Sequence, residues 1–515
     1  MICVILAPYG TMAASRKKVG RAMNQGALRV QFIDRCLHRI AFILALGCAT
    51  SPITFAQQTR QIVSSRAGDR LAEKPAVSFK RATRRTATFH INPLVTHQTI
   101  AGFGATFLEA AMLCLNSLEP EQQEAVLRAL FDPDTGAGFS AMKTVIAGTD
   151  FMSAGPWYTY ADGPGDLELK SFSIARDLGP TGLVTFIKRA RRYGTFVLQA
   201  PMDYPPDWML FDVEKNQDVD PRYFDTLAHY YLRYLREYEK QGIIVDYLSL
   251  FNEPGIYTNI PYEKIRELLK NHVGPLFARE GVRTKLQLSE APDRGNAYRN
   301  YPKVLDDPEA RKYIANLPYH GYRGGPKDLS EILELHRRYP DLPLWMTEVC
   351  HAYAAGTPET MKLPRFDFED GDFWGNEIFS DLESDASAWI YWNLILDEKG
   401  GPWLVSPVHH NPDPNVEHPV VIVDRQTKKV TYTGLYYYLA HFSRYVRPGS
   451  VRIGTTGRSN GIRCVAFSAP DRHIVAQLMN SRNRDARVTV ECHNSILELV
   501  LPAGSITTAS WKRAS

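Results

Sequence analysis

Cysteine is scarce in this 515-residue chain: of seven in all, only Cys114, Cys350, Cys464 and Cys492 lie beyond residue 56, and they are widely scattered. No Cys or His spacing matches a zinc site, so no metal is implied and no cofactor is called for. Cys464 and Cys492 fall on neighbouring predicted strands, which leaves a disulfide between them open in an oxidising compartment. Long hydrophobic runs are missing too, and the apolar core Ile40 to Leu46 is far below the ~20 residues that a membrane-crossing helix needs. Basic clustering is confined to the start of the chain. The formal charge is +4, but the first 56 residues hold seven Lys/Arg against one Asp, and residues 57–85 hold eight against two acids. The remainder is therefore acidic and offers no clustered basic face for a nucleic acid. No long repeat or low-complexity tract is visible. With 44% hydrophobic residues the chain can build a large core and more than one domain.

What is present begins with "HRIAFILALGCATSPITFAQ" (38–57), which has a basic approach, a short apolar core and a small-residue exit at Ala56. Residues 1–56 therefore read as a signal peptide or leader, with translation starting at or near Met23, and the mature chain as exported to the periplasm or the exterior. Cys48 offers an alternative, attachment of a lipoprotein anchor. Residues 57–85 read as a basic, mobile linker.

From residue 98 to 414 short apolar runs alternate with amphipathic stretches, the pattern of β/α units around a parallel sheet. Eight runs stand out: "QTIAGFGATF", "FSAMKTVIAGTD", "TFVLQAPM", "VDYLSLFNEP", "KLQLSEAP", "ANLPYHGY", "LPLWMTEVC" and "ASAWIYWNLIL". Eight units over about 300 residues predict an α/β fold, a (β/α)₈ barrel. In "DPRYFDTLAHYYLRYLREYEKQG", Asp220 can cap a helix, Pro221 suits its first turn and Gly242 can end it. From 415 to 515 short alternating runs separated by turn residues predict a second, all-β sandwich domain, and "ATFHINPL" within 86–97 is a lone strand able to join it.

Active sites of such barrels form at the carboxyl ends of the strands. Glu253 ends the fourth run and Glu348 the seventh. Two carboxyl groups on one rim can cleave a glycosidic bond, one protonating the leaving oxygen while the other attacks or activates water. Each alone has a bland reading, because a Glu after an apolar run often faces solvent.

The pair acquires weight from "QTIAGFGATFLEAA", "YTYADGPGDLELKSFSI", "SLFNEP", "LWMTEVC", "WIYWNLILDEKGGPW" and "YYYLAHFSRYVRPGSVRI". In these stretches, in order and spacing, the chain resembles glycoside hydrolase family 30, the glucosylceramidase family. The resemblance implies a side β-domain that takes one strand from ahead of the barrel, Glu253 as acid/base, Glu348 as nucleophile and a retaining mechanism. It also implies that Asn252 meets the sugar 2-hydroxyl, that Asp150 binds sugar hydroxyls, that His320 and Tyr322 border the site with Tyr322 donating to the nucleophile, and that Trp392 lines the sugar subsite. The bland alternatives are a turn-forming Asn252, a helix-capping Asp150 and packing roles for His320 and Tyr322. Trp389 reads as core and Cys350 as an inert buried thiol.

Two departures stand out. Met202 occupies a position where the family commonly has Trp, with Trp208 one residue late for the second Trp, and Lys143 stands where an Arg usually supports the nucleophile. The stretch from Trp392 to Asp424 contains no Arg, which counts against an acidic, glucuronyl-decorated substrate. The expected function is an exported exo-acting β-glucosidase of glucosylceramidase type on a β-linked carbohydrate. The alternatives are an endo-acting β-1,6-glucanase or xylanase and, in another class, an inactive carbohydrate-binding barrel. High acidity is expected to be suppressed at Glu253, partly by the charge of Glu348.

Overall fold

Eight parallel strands form the central sheet: β1 (Gly102–Thr106), β2 (Ala141–Lys143), β3 (Val197–Pro201), β4 (Tyr247–Ser249), β5 (Lys285–Gln287), β6 (Leu317–His320), β7 (Leu344–Glu348) and β8 (Ala386–Asn393). All eight expected runs contain one of them. The computed structural model describes residues 58–81, 87–212, 218–256, 258–322, 325–354, 368, 370–402 and 415–513; the expected leader lies outside the described residues. The sheet runs in the order β6-β7-β8-β1-β2-β3-β4-β5. It closes where Ala315 N–H donates to Leu286 O at 2.8 Å and His320 N–H to Ala291 O at 2.9 Å. The result is a (β/α)₈ barrel with its residues buried on both faces, which is why its strands read as near-continuous apolar runs.

The helix signals act where the sequence puts them. Asp220 Oδ1 accepts from Arg222 N–H at 2.9 Å ahead of the helix Phe224–Lys240, and Gly242 leaves it with φ +75°, a conformation that costs glycine little. Among the described residues no helix is long and apolar enough to cross a membrane.

A ten-stranded, mostly antiparallel sheet forms the second domain. Its strand His473–Asn480 shows why: Ile474, Ala476 and Leu478 enter one apolar cluster, while Val475 and Met479 join the barrel's cluster. Both faces are buried with a period of two, so the run "HIVAQLMN" looks continuous rather than alternating. The strand Phe89–Thr99, ahead of the barrel, pairs antiparallel with Val451–Thr456 and parallel with Ala486–Cys492.

Three expectations need correction. The described part of 57–85 is not a linker: Gln58–Ser65 pairs with Ala72–Ser78 and with Ser505–Lys512, and Lys80–Arg81 pairs with Ser495–Leu501. In "QTRQIVSS" Thr59 and every residue from Gln61 to Ser65 are buried, a strand signal that the basic residues of the surrounding segment obscured. The barrel also does not end at 414, because a helix, Gly434–Tyr445, follows, capped by Thr433 and packed on β1 through Phe442 against Phe103, ring centroids 5.6 Å apart. Cys464 and Cys492 are free. Their strands are separated in the sheet by Val451–Thr456 and Phe89–Thr99, a span of roughly 14 Å at one strand spacing per step, too far for a disulfide.

Because the strand Gln58–Ser65 is integral to the sheet, Ile62→Ala should destabilise the whole protein by about 2–5 kcal/mol. Chemical denaturation of wild type and variant measures this; an unchanged midpoint would mean that the strand is dispensable.

Candidate active site

The carboxyl ends of the strands carry charge where barrels usually end in loops. Lys143, His320 and Glu348 are the last residues of β2, β6 and β7. Beyond β4 and β5 the two chains stay together: Glu253 N–H donates to Glu290 O and Glu290 N–H to Phe251 O, both at 2.9 Å, while Asn252 N–H reaches Met202 O at 2.8 Å. This pairing fixes Asn252 and Glu253 at the rim. Glu253 pays for its position with φ +46°, a left-handed conformation uncommon for a side-chain-bearing residue and often found at functional sites.

Seven side chains form one network, all of them buried except the partly buried Tyr322. Lys143 Nζ donates to Glu348 Oε2 at 2.8 Å, Glu290 Oε2 at 2.9 Å and Asn252 Oδ1 at 3.1 Å. His320 places Nδ1 2.7 Å from Glu253 Oε1 and Nε2 3.2 Å from Glu290 Oε2, with Glu348 Oε1 3.4 Å from Nδ1. A ring that faces carboxylates with both nitrogens donates to both only as imidazolium. Tyr322 OH donates to Glu348 Oε1 at 3.1 Å. One oxygen of Glu253 lies within 4.8 Å of one of Glu348.

The electrostatics follow from that packing. Burial pushes Glu253 above the ordinary carboxyl range; His320 opposes the shift and Glu348 adds to it. Burial is thus the main cause, with Glu348 contributing as expected. Burial also acts to raise Glu290, but Lys143 and His320 outweigh it and hold this carboxylate at about 2. Burial acts to lower His320, yet Glu348 and Glu253 bring it to about 9. Lys143 likewise stays above its ordinary value despite burial because Glu290 and Glu348 face it.

Asp150, beyond β2, is raised to about 8 by burial and then by Glu348 and Glu253; its Oδ1 is buried without a hydrogen-bond partner. Trp392 is 4% exposed, and its ring centroid lies 5.0 Å from Lys143 Nζ, within cation–π range. All seven residues singled out from the sequence therefore gather at this mouth. Trp389 is core, its Nε1 donating to Asp381 Oδ2 at 3.1 Å. Cys350 is buried 3.2 Å from Tyr322 OH, and burial together with Glu417 holds its thiol well above its usual range. Trp208 does not fill in for Met202: its Nε1 is spent on Ala161 O at 2.8 Å, while Met202 is wholly buried.

Sequence reasoning missed Glu290, Asp203 and Glu417. Glu290 had a signal, since "KLQLSEAP" ends on an acid just as the fourth and seventh runs do. Asp203 follows β3 directly and is 1% exposed. Glu417 accepts from Asn393 Nδ2; it lies far from any barrel run in sequence, and only folding brings it in.

The profile of the glycosyl hydrolase family 30 TIM-barrel domain matches residues 100–446, and that of the family 30 beta sandwich domain matches residues 449–509. The chain belongs to glycosyl hydrolase family 30. As a family 30 member it is a glycoside hydrolase with a carbohydrate substrate. It is 26% identical over 471 residues to the lysosomal acid glucosylceramidase of Mus musculus, covering 87% of this chain and 88% of the relative. It is 27% identical over 447 residues to an endo-1,6-beta-D-glucanase of Neurospora crassa, covering 81% and 88%. Among solved structures, SrfJ from Salmonella typhimurium superposes with a TM-score of 0.79 at 24% identity, covering 89% of this chain and all of that one. The endo-beta1,6-glucanase BT3312 superposes with 0.74 at 24%, covering 88% and all. These two likenesses bear on the fold.

In this family 30 site, Glu290→Gln keeps the side chain's size and removes the charge that Lys143 and His320 share. His320, raised from 6.5 to about 9, contributes stability that is complete below pH 6.5 and lost as pH rises through 9, of order 3 kcal/mol. Glu290, depressed from 4.5 to about 2, contributes stability present above pH 4.5 and lost as pH falls through 2. Denaturation midpoints measured from pH 6 to 10 should therefore decline in wild type, whereas Glu290→Gln should start lower and decline less. Parallel curves would show that Glu290 does not hold the His320 proton.

Proposed function

We propose that the chain is an exported, retaining β-glycoside hydrolase, exo-acting on β-glucosides in the manner of a glucosylceramidase. The observation that carries the mechanism is the approach of Glu253 and Glu348 to within 4.8 Å. A retaining pair stands about 5–5.5 Å apart so that one carboxylate reaches the anomeric carbon, whereas an inverting pair needs about 6.5–9.5 Å for a water.

The partners of the two acids divide the roles. Glu348, held by Lys143 on one oxygen and Tyr322 on the other, is the nucleophile. Glu253, raised by burial, is the acid: it gives its proton to the glycosidic oxygen as Glu348 bonds to the anomeric carbon and the bond to the aglycone breaks. Forming the ester removes the Glu348 charge, and with it a push on Glu253, so the carboxylate that results is the easier to keep. His320, donating to Glu253, stabilises that charge. Glu253 then takes a proton from water, whose oxygen attacks the anomeric carbon and frees Glu348 with configuration retained. Asn252 is assigned to the 2-hydroxyl and Trp392 to the sugar face.

The choice of β-glucoside draws support from the relation to the mouse glucosylceramidase. An endo-acting β-1,6-glucanase is the second reading, favoured by an equal relation to the Neurospora enzyme. The presence of both acids in a charge-matched network argues against a barrel that only binds sugars. Export rests on the leader pattern at 38–57, with anchoring at Cys48 as its variant.

Glu253→Gln and Glu348→Gln should each lower hydrolysis of an aryl β-glucoside by 10³-fold or more, and azide should partly restore the first on an activated substrate. Proton NMR of the first sugar released should show the β anomer. Appearance of the α anomer, or full turnover in either variant, would overturn the assignment. A screen of glucosylceramide, β-1,6-glucan and xylan separates the specificities, monomer release marking the exo enzyme and a ladder the endo one.

A further inference from the structure

Around the catalytic pair the positive charge is already committed. Lys143 and His320 face Glu290, Glu348 and Glu253, and three more carboxyl groups, those of Asp150, Asp203 and Glu417, share the mouth. Glu417 has an internal donor in Asn393. Asp150 Oδ1 and Asp203 Oδ1 have none, although both oxygens are cut off from solvent. A buried acceptor without a donor is costly unless something else supplies one.

Asp203 is the more telling of the two. It is 1% exposed, and its backbone is fixed by Thr258 Oγ1, which donates to Asp203 O at 3.4 Å, and by the neighbouring bond from Asn252 N–H to Met202 O at 2.8 Å. Burial first, then the charge of Asp150, pushes its carboxyl well above the usual range, and Lys143, Glu348 and Glu253 all act on it. The side chain therefore belongs to the catalytic mouth, yet no described side chain donates to Oδ1.

The order of the strands says what it meets. Asp150 follows β2, Asp203 follows β3 and Asn252 follows β4, three adjacent strands of the sheet. On the proposed function, on which this inference rests, Asn252 faces the 2-hydroxyl. Going round the rim away from Asn252, Asp203 comes next and Asp150 after it, just as the 3-hydroxyl and the 4-hydroxyl follow the 2-hydroxyl round a pyranose. We propose that Asp203 is a sugar-binding, specificity-determining residue that accepts a hydrogen bond from the 3-hydroxyl, beside Asp150 at the 4-hydroxyl. The site is thereby built for a neutral pyranose with both hydroxyls free. Met202, which brings no hydrogen-bonding group to this side of the site, leaves the polar contact to its neighbour.

The test pairs Asp203→Ala with aryl β-glucoside and its 3-deoxy and 4-deoxy analogues. A site that hydrogen-bonds a substrate hydroxyl rejects the analogue lacking it, so wild type should lose about 100-fold in kcat/KM on the 3-deoxy substrate. Asp203→Ala should lose a similar factor on the glucoside, with KM rising, and only a few-fold more when the 3-hydroxyl is also gone. Removal of the 4-hydroxyl should cost the variant as much as it costs wild type. Asp203→Asn, which keeps an acceptor oxygen, should recover part of the loss, and a denaturation midpoint checks that both variants fold. Losses that simply multiply for the 3-deoxy pair, as expected of sites that do not interact, would overturn the inference while leaving the hydrolase reading intact. Absence of glucoside turnover in wild type would instead overturn the β-glucoside reading. The same cycle on the Kd values of glucose and 3-deoxyglucose, measured by calorimetry, reads the contact without turnover; no coupling there counts against Asp203.

Discussion

The ammonium group of Lys143 is the fixed point of this protein. A buried ammonium is tolerable only if paired and fully hydrogen-bonded, and Lys143 uses its three donors on three acceptors at or beyond the ends of three other strands: Asn252, Glu290 and Glu348. That geometry explains how a lysine serves where the family usually has arginine. A guanidinium presents its donors in a plane and suits a carboxylate held face to face, whereas an ammonium spreads them and suits acceptors arriving from different directions. Glu290 is the necessary complement. Without it Lys143 would face a single carboxylate, and His320 would lose the acceptor of its Nε2. The two carboxyl groups to which the proposed chemistry is assigned are thus placed by a third that has no part in it.

The second domain matters to this arrangement through the elements between the two cores. The helix Gly434–Tyr445 packs on β1 with Phe442. On its other side His441 Nδ1 meets Thr508 Oγ1 at 2.7 Å and its Nε2 meets Ser64 Oγ at 3.0 Å. Burial keeps that imidazole below its usual range, at about 3, so it is a neutral ring bridging two hydroxyls, one of them from the strand Gln58–Ser65. The sandwich therefore backs β1 and its neighbour β8, which carries Trp392 and Asn393 to the mouth. The two domains share one apolar cluster, and the barrel's first and last strands meet against it.

The parts of this architecture that sequence reveals are those with a local signature. Eight apolar runs, a capping Asp220 and the acids ending runs four and seven are all visible because strand period, cap chemistry and run length are properties of a few consecutive residues. The hidden parts depend on distance in the chain. Gln58–Ser65 reads as linker because the segment 57–85 that contains it is rich in basic residues, while Ile62 and Val63 carry its burial. Cys464 and Cys492 are apart because their strands, with His473–Asn480 between them in the chain, are also parted in the sheet by Val451–Thr456 and by Phe89–Thr99 from ahead of the barrel. Asp203 gave no sign, since an Asp after a strand is ordinarily a turn residue.

The mouth holds more carboxyl groups than cations, and this imbalance is itself informative. Lys143 and His320 suffice for Glu290 and Glu348, so burial drives the others toward their protonated forms: Glu253, Asp150 at about 8, Asp203 and Glu417 are all raised. A protonated carboxyl group both donates and accepts, which suits the sugar hydroxyls of the proposed function, and it adds no charge to repel Glu348. The same shortage that raises Glu253 thus also shifts its neighbours toward the protonated, hydrogen-bonding form. The upward shift of Glu253 and those of its neighbours are consequences of one count of charges.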